Sequence, residues 1–315
     1  MREKPIIQNL NQLTVYATRY RDMLCARDPG LEGRLRNGAM QRESCFSELA
    51  SRFDAILFDA YGVLNRGEAV IPGAPETLRF LRDQSKPFLV VSNNASQAPT
   101  RLESRFQQLG FDITASDIVT SGMAVSRYVE GSRLQGLPYY LVGTSESREA
   151  YAPQPTTLMV NEDWQKAEYV ILCGNRDYYG GQQETHVEAL LTTRPVPLLV
   201  VNPDLVAPQA DGGVSAVVGF TAAQLAERFQ VSFLGLGKPF PTVFELAMEK
   251  LPDTTPERIL MVGDTLDTDI LGGAMMGFTT CLALSGVYAD QPDSVDTLCA
   301  ARGIYPDFVV ESLNG

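Results

Sequence analysis

The 315-residue chain is 44% hydrophobic and 20% charged, with a formal net charge of −12. That is the composition of a soluble globular protein long enough for a sizeable core and two domains. The acidic balance argues against nucleic acid, whose phosphates demand clustered Lys and Arg. Small phosphorylated ligands stay open, since backbone N–H groups, one lysine and a metal can hold them.

Residues 1–45 hold eight basic and five acidic residues, net +3, and no strong strand pattern. They read as a helical arm packed on the core or on a partner. The opening MREKPIIQNLNQLTVYATRY has no continuous apolar stretch, so neither a signal peptide nor an anchor is expected. No later run approaches the roughly 18 apolar residues of a transmembrane helix.

Next come AILFD at 55–59 and PFLVV at 87–91, continuous apolar runs of the kind that form parallel strands covered on both faces. The segment APTRLESRFQQLG then predicts a helix. Pro99 suits its first turn, Leu102, Phe106 and Leu109 share a face, and Gly110 can end it. PYYLVG at 138–143, YVILCG at 169–174 and PLLVVNPD at 197–204 form a second strand cluster where the main sheet needs only a connection. An inserted α/β domain over 135–234 is the simple reading. ILMVG at 259–263, TTCLAL at 279–284 and DFVV at 307–310 then resume the first pattern. Strand and helix in alternation give a doubly wound parallel α/β sheet with an inserted α/β cap.

Cys25, Cys45, Cys173, Cys281 and Cys299 show no C-x-x-C spacing, so buried reduced thiols and a cytoplasmic location are expected. His186 is the single histidine, in GGQQETHVEALL, and reads as a structural residue on a helix. A Ser-His-Asp triad or a multi-histidine zinc site would have to be built around it. Catalysis, if present, runs on carboxylates.

In open α/β sheets, ligands bind beyond the carboxyl ends of the strands. The first strand run ends in Asp59 and the second in Ser92, Asn93 and Asn94. GLGKPFPTVFELA puts Lys238 just before a helix, and MVGDTLDTDI puts Asp264 at another strand end with Asp269 five residues on. Taken singly, a strand-ending Asp is more often a helix cap, and a Lys before Pro a solvated loop residue. Together they supply carboxylates for a divalent cation, hydroxyl and amide donors, and one fixed cation.

On these residues the chain resembles the haloacid dehalogenase superfamily of aspartate-nucleophile hydrolases. Within it, the resemblance is to the subfamily IIA branch with a C2-type cap, the NagD-like, p-nitrophenyl phosphatase and pyridoxal-phosphate phosphatase proteins. DAYGVL matches motif I, VVSNNAS motif II, GKPFPTVF motif III and GDTLDTD motif IV, and VVNPD followed by DGG also looks like that branch. The similarity runs from about 50 to 312. It implies a HAD-like Rossmannoid core over 46–134 and 235–315, with the cap between motifs II and III. It implies Asp59 as nucleophile, forming an aspartyl-phosphate. Mg²⁺ would be held by Asp59, the Tyr61 carbonyl and Asp264, with Asp269 in support. Ser92, Asn93, Asn94 and Lys238 would surround the phosphoryl oxygens. The expected activity is an Mg²⁺-dependent phosphatase of small phosphorylated metabolites, with a homodimer through the cap. Substrate choice would come from the cap, whose candidates are Asn175, Arg176, Asp177 and Tyr178 in CGNRDYYGG and Asn202 and Asp204 in VNPD.

One residue departs from the pattern. Family phosphatases carry a second Asp in motif I that protonates the leaving group and then activates water; here that position is Tyr61. General acid–base help is worth roughly 10² to 10⁴ in rate, and a phenol is a poorer acid at neutral pH. Alkyl phosphates should turn over slowly unless another group, such as Asp177 or Asp204, substitutes. A phosphorylated-ligand binding or regulatory protein with vestigial activity is the alternative. A 2-haloacid dehalogenase, suggested by DAYG, is opposed by Asp264 and Asp269 and by the spacing. Asp59 and Ser92 lie 33 residues apart, too few for a cap after motif I, whereas 146 residues separate Ser92 from Lys238.

Overall fold

Seven strands form the main sheet of the computed structural model, which describes residues 7, 10–35, 40–153, 158–208 and 214–314. Their spatial order is Gln41–Arg42, Phe308–Val310, Thr279–Ala283, Ile259–Gly263, Ala55–Phe58, Phe88–Ser92 and Ile118–Thr120. Every adjacent pair is parallel. Ile56 and Phe58 face a layer with Phe46, Leu49 and Leu78. Ala55 and Leu57 face the opposite layer, with Val243, Phe244 and Phe278. A strand covered on both faces must be apolar at every position, and this is why AILF runs without alternation. The helix foreseen after Asn94 spans Pro99–Gln108 and buries Leu102 and Phe106. Gly110 follows its end at φ +86°, where a side chain would be strained.

The inserted segment builds its own parallel sheet, in the order Phe233–Gly235, Leu198–Val200, Tyr169–Leu172, Tyr139–Val142. One face packs under helices Gln182–Thr193 and Val218–Phe229 through Val187 and Leu225. The other carries Leu141, Ile171 and Leu199 onto Ala124 and Val125 of the core helix Met123–Val129, so apolar packing continues from cap to core. An antiparallel hairpin, Val206–Pro208 with Val214–Ala216, extends this region. The Asp-Gly-Gly at 211–213 lies outside the described residues. His186 stacks on Trp164 at 5.2 Å and meets the Tyr140 hydroxyl at 3.3 Å, a packing role within the inserted region. Cys173, Cys281 and Cys299 are buried, but Cys25 and Cys45 are only half-buried, each at a helix end where neighbours cover one side. No helix among the described residues is long and apolar enough to cross a membrane.

The amino-terminal segment is helical over Thr14–Cys25 and Leu31–Leu35, and it packs on the chain's own core. It is not wholly helical: Gln41–Arg42 adds an edge strand beside Phe308–Val310, too short to leave a sequence pattern. Leu13, Tyr20, Leu24 and Leu31 join Leu266, Leu271 and Leu298 in one cluster. The first helix also spans the cap–core boundary. Tyr16 meets Phe220 edge-on at 5.4 Å, and Tyr20 packs between Phe233 and Phe240 at 5.8 and 5.6 Å. The Tyr20 hydroxyl donates to the Pro203 carbonyl at 2.9 Å.

Arg302 ties this arm to the motif IV loop. Its Nη1 donates to Asp267 Oδ1 at 2.7 Å and its Nη2 to the Leu10 carbonyl at 3.1 Å. Arg21 in turn donates to the Arg302 carbonyl at 2.6 Å. The Arg302 and Asp267 side chains are almost wholly buried, at 2% and 3% exposure. Arg302→Met strands the Asp267 charge and should lower the unfolding free energy by roughly 3–5 kcal/mol, read from urea midpoints. Adding Asp267→Leu should recover most of that loss, because an apolar pair replaces an unpaired buried charge.

Candidate active site

Strand order explains how residues distant in sequence meet. Ala55–Phe58 is central, paired on one side with Ile259–Gly263 and on the other with Phe88–Ser92. Phe58 lies level with both Val262 and Val90, so the carboxyl ends of three adjacent strands present Asp59, Asp264 and Ser92 to one crevice. The Asp59 N–H still donates to the Val262 carbonyl at 2.8 Å, fixing the backbone that carries its carboxylate. Motif IV continues as a π-helical turn, Leu266–Ile270, which buries Asp269. Such turns are rare and concentrate at functional sites.

Lys238 Nζ sits 2.5 Å from Asp59 Oδ1 and 2.7 Å from Asp269 Oδ1. Asp59, Asp264 and Asp269 each offer a carboxylate oxygen within 4.8 Å of the others. Asp269 Oδ2 accepts the backbone N–H groups of Asp264 and Thr265, both at 3.1 Å, while its Oδ1 faces the Lys238 ammonium. Asp264 Oδ1 accepts from the Thr265 hydroxyl and Oδ2 from the Val287 N–H, each at 2.9 Å. Asp264 fits only because its neighbours lack side chains. A Cβ would stand 2.0 Å from its Oδ2 at Gly62, where φ is +99°, and 1.9 Å away at Gly286.

The electrostatics follow from one cation facing several buried acids. Burial, together with Asp59 and Asp269, raises the Asp264 pKa well above the usual carboxylate range. Burial and Asp59 push Asp269 up to about 7, with Lys238 opposing. Burial disfavours the Lys238 ammonium, but Asp269, Asp59 and Asp204 outweigh it and keep it charged. An oxygen-only cluster of three buried carboxylates facing a single cation fits a divalent cation.

A cavity of about 170 Å³ opens over this cluster, lined by Asp59, Tyr61, Ser92, Asn93, Asn94, Asn202, Asp204 and Asp264 among others. Two of the amides named from sequence serve as braces. Asn93 Oδ1 accepts the Lys238 N–H at 2.7 Å, and its Nδ2 donates to the Lys238 carbonyl at 2.9 Å and to Asp204 Oδ1 at 2.7 Å. Asn94 Oδ1 accepts the N–H groups of Ser96 and Gln97 at 2.9 and 3.0 Å, turning the chain into its helix. Of the cap candidates, only Asn202 and Asp204 line this cavity. Tyr178 is packed inside the cap, Arg176 and Asp177 are exposed, and the Asn175 amide donates to Thr221 at 3.1 Å. Thr265, Thr268, Val206 and Ala207 also line the cavity. Nothing local marks them, since their place depends on how the loops meet.

Comparison with known proteins agrees with this geometry. The family model described as haloacid dehalogenase-like hydrolase matches residues 56–153, and the related HAD-hydrolase-like model matches residues 235–315. Chronophin of Mus musculus is 30% identical over 278 residues, covering 86% of this chain and 94% of its own. Glycerol-3-phosphate phosphatase of Homo sapiens is 30% identical over 293 residues, covering 84% and 90%. Among solved structures, a possible sugar phosphatase of the HAD superfamily from Cytophaga hutchinsonii superposes with a TM-score of 0.77 at 30% identity, covering 87% of this chain and 99% of that one. The first match includes Asp59 and Ser92 and runs on through the inserted-sheet strand Tyr139–Val142, and the second includes Lys238, Asp264 and Asp269. The chain belongs to the haloacid dehalogenase-like hydrolase family, within the subfamily IIA branch of phosphoric monoester hydrolases.

Proposed function

We propose that the chain is an Mg²⁺-dependent phosphatase of small phosphorylated metabolites, working through a phosphorylated Asp59. The observation that carries this reading is the buried Lys238 ammonium, 2.5 Å from Asp59 and 2.7 Å from Asp269, at the ends of adjacent strands. In the first step an Asp59 oxygen attacks phosphorus, and the ester oxygen leaves with its bonding electron pair. Water then attacks the same phosphorus and releases Asp59 as a carboxylate. Lys238 offsets the repulsion between anionic nucleophile and anionic substrate, and the Ser92 hydroxyl faces the phosphoryl oxygens. Asp59, the Tyr61 carbonyl, Asp264 and Asp269 would hold Mg²⁺, which supplies further neutralisation of phosphoryl charge when bound. The small cavity favours a small substrate, as do relatives named for glycerol 3-phosphate and for sugar phosphates.

The test is phosphate release from aryl, acyl, sugar and cofactor phosphates with and without Mg²⁺, with hydroxylamine added to trap an acyl phosphate. Mg²⁺-dependent release with a hydroxamate at Asp59 is expected; release that ignores metal overturns the mechanism. Tyr61 favours a second reading, a phosphate-ligand sensor, and tight binding with no turnover of any phosphate would select it.

Metal addition should also show a specific pH dependence. Folded-state pKa values for Asp264 and Asp269 lie above an unfolded value near 3.9. Their stabilisation is therefore present below that unfolded value and lost as pH rises through about 7 for Asp269. A cation that binds the ionised carboxylates offsets the loss, so the rise in melting temperature on adding Mg²⁺ should be larger at pH 8 than at pH 5. A shift of equal size at both values would contradict the proposed ligand set.

A further inference from the structure

The chemistry needs one proton delivered and one removed, and Tyr61 stands where the carboxyl that would do this is expected. The two cap acids named from sequence differ in placement. Asp177 is exposed and does not line the cavity, whereas Asp204 does. Asp204 and its loop are also held by four contacts. Its N–H donates to Asn202 Oδ1 at 2.9 Å, and the carbonyl of Pro203 beside it accepts the Tyr20 hydroxyl at 2.9 Å. The start of helix Val218–Phe229 presses on the same loop: a Cβ at Gly219 would stand 2.1 Å from the Pro203 carbonyl oxygen and 2.4 Å from that of Asp204. From the core, Asn93 Nδ2 donates to Asp204 Oδ1 at 2.7 Å. A carboxyl fixed this way is preorganised, which is what proton transfer in an active site requires.

We propose that Asp204, reaching from the cap, is the proton donor and acceptor of this active site in place of Tyr61. The proposal rests on the phosphatase reading above. With Oδ1 tied to Asn93, Oδ2 carries the proton. In the first step Asp59 forms the bond to phosphorus, the ester P–O bond breaks, and the Asp204 proton passes to the departing oxygen to give an alcohol. In the second step Asp204 takes a proton from water as that water bonds to phosphorus. The P–O bond to Asp59 then breaks, its electron pair returns to the Asp59 carboxylate, and Asp204 is left protonated for the next cycle.

The charges around Asp204 suit this duty. Burial pushes its carboxyl up to about 8, with Asp59 and Asp269 adding to the effect and Lys238 and the Asn93 hydrogen bond opposing it. Tyr20, whose hydroxyl also packs on this loop, is itself raised by burial and stays neutral. Asp204 therefore holds its proton at neutral pH, ready for the first step, and the first step should slow as pH rises through that value.

A competing role is purely architectural, Asp204 joining cap to core through Asn93. Asp204→Asn separates the two, because its amide oxygen can still accept from Asn93 Nδ2 while it cannot deliver or take the proton. The probes are β-glycerophosphate and p-nitrophenyl phosphate, whose leaving group needs no proton. Asp204→Asn should lower kcat/KM for β-glycerophosphate by roughly 10²- to 10⁴-fold. With p-nitrophenyl phosphate it should keep the initial burst of nitrophenol, slow the steady state, and accumulate an acyl phosphate that hydroxylamine traps. In the unaltered protein, kcat/KM for β-glycerophosphate should fall above about pH 8, and that for p-nitrophenyl phosphate should not. The role is overturned if Asp204→Asn stays within about twofold of the unaltered rate, a range well below the roughly 10²-fold floor for acid–base help. It is also overturned if burst and steady state fall together, or if the unaltered protein shows no alkaline loss confined to the alkyl ester. A protein that turns over no phosphate at all overturns the phosphatase reading instead, and Asp204's role with it.

Discussion

Asp59→Asn should reduce phosphate release by roughly 10⁴- to 10⁶-fold, the scale seen when a nucleophile is removed from a machinery that acts as a unit. The amide has almost the shape of the carboxylate but carries no anionic oxygen to attack phosphorus. It also removes one of the two anions beside Lys238. The substitution should leave folding intact, because it relieves repulsion among Asp59, Asp264 and Asp269, whose ligand atoms crowd within 4.8 Å. Initial-rate phosphate assays and hydroxylamine trapping, beside a melting curve, check both parts. Residual activity above about a hundredth of the original, far over the loss expected for a nucleophile, would move the nucleophile elsewhere.

Lys238→Ala should be costly in both rate and stability. Its ammonium is 1% exposed and faces two carboxylates directly, with Asp204 adding to the field. Deleting one partner of a buried ion pair leaves uncompensated charge, at a cost of roughly 3–5 kcal/mol. Loss of a fixed cation at the site of developing phosphoryl charge should lower kcat by roughly 10²- to 10³-fold. The stability loss should depend on pH in a definite sense. Burial raises Asp264, and pushes Asp269 up to about 7 and Asp204 up to about 8. Asp269 and Asp204 hold protons at pH 5 and ionise toward pH 8, so the variant should be penalised least at pH 5 and most at pH 8. Urea midpoints at those two values decide it; a penalty independent of pH would mean that Lys238 contributes packing rather than charge.

The pattern of the strands was open to reading in the chain because burial on both faces leaves a local record. AILF, FLVVS and ILMVG each show an unbroken apolar run. The polar residues that follow them stand out for the same reason, and Asp59, Ser92 and Asp264 could be named without knowing which strands adjoin. Edge strands of two or three residues, such as Gln41–Arg42 and Ile118–Thr120, leave no such record. The cap was harder. Asn175, Arg176, Asp177 and Tyr178 form a conspicuous polar and aromatic cluster, yet Tyr178 is spent on packing and Asp177 on solvent. Cap residues are selected by the docking of two sheets, and no local pattern encodes that.

By itself, then, the amino-acid order determined the α/β class, the inserted α/β region and the carboxylate and lysine residues that meet at the strand ends, because each rests on short stretches whose polarity is visible residue by residue. Tertiary structure alone decided how the arm and the cap bear on that site. It joined Tyr20 to Pro203 across 183 residues, Asn93 to Asp204 across 111 and Arg302 to Leu10 across 292. Those contacts exist because folding brings distant loops into one crevice, and they bring Asp204, rather than Asp177, to the cavity that Asp59 also lines.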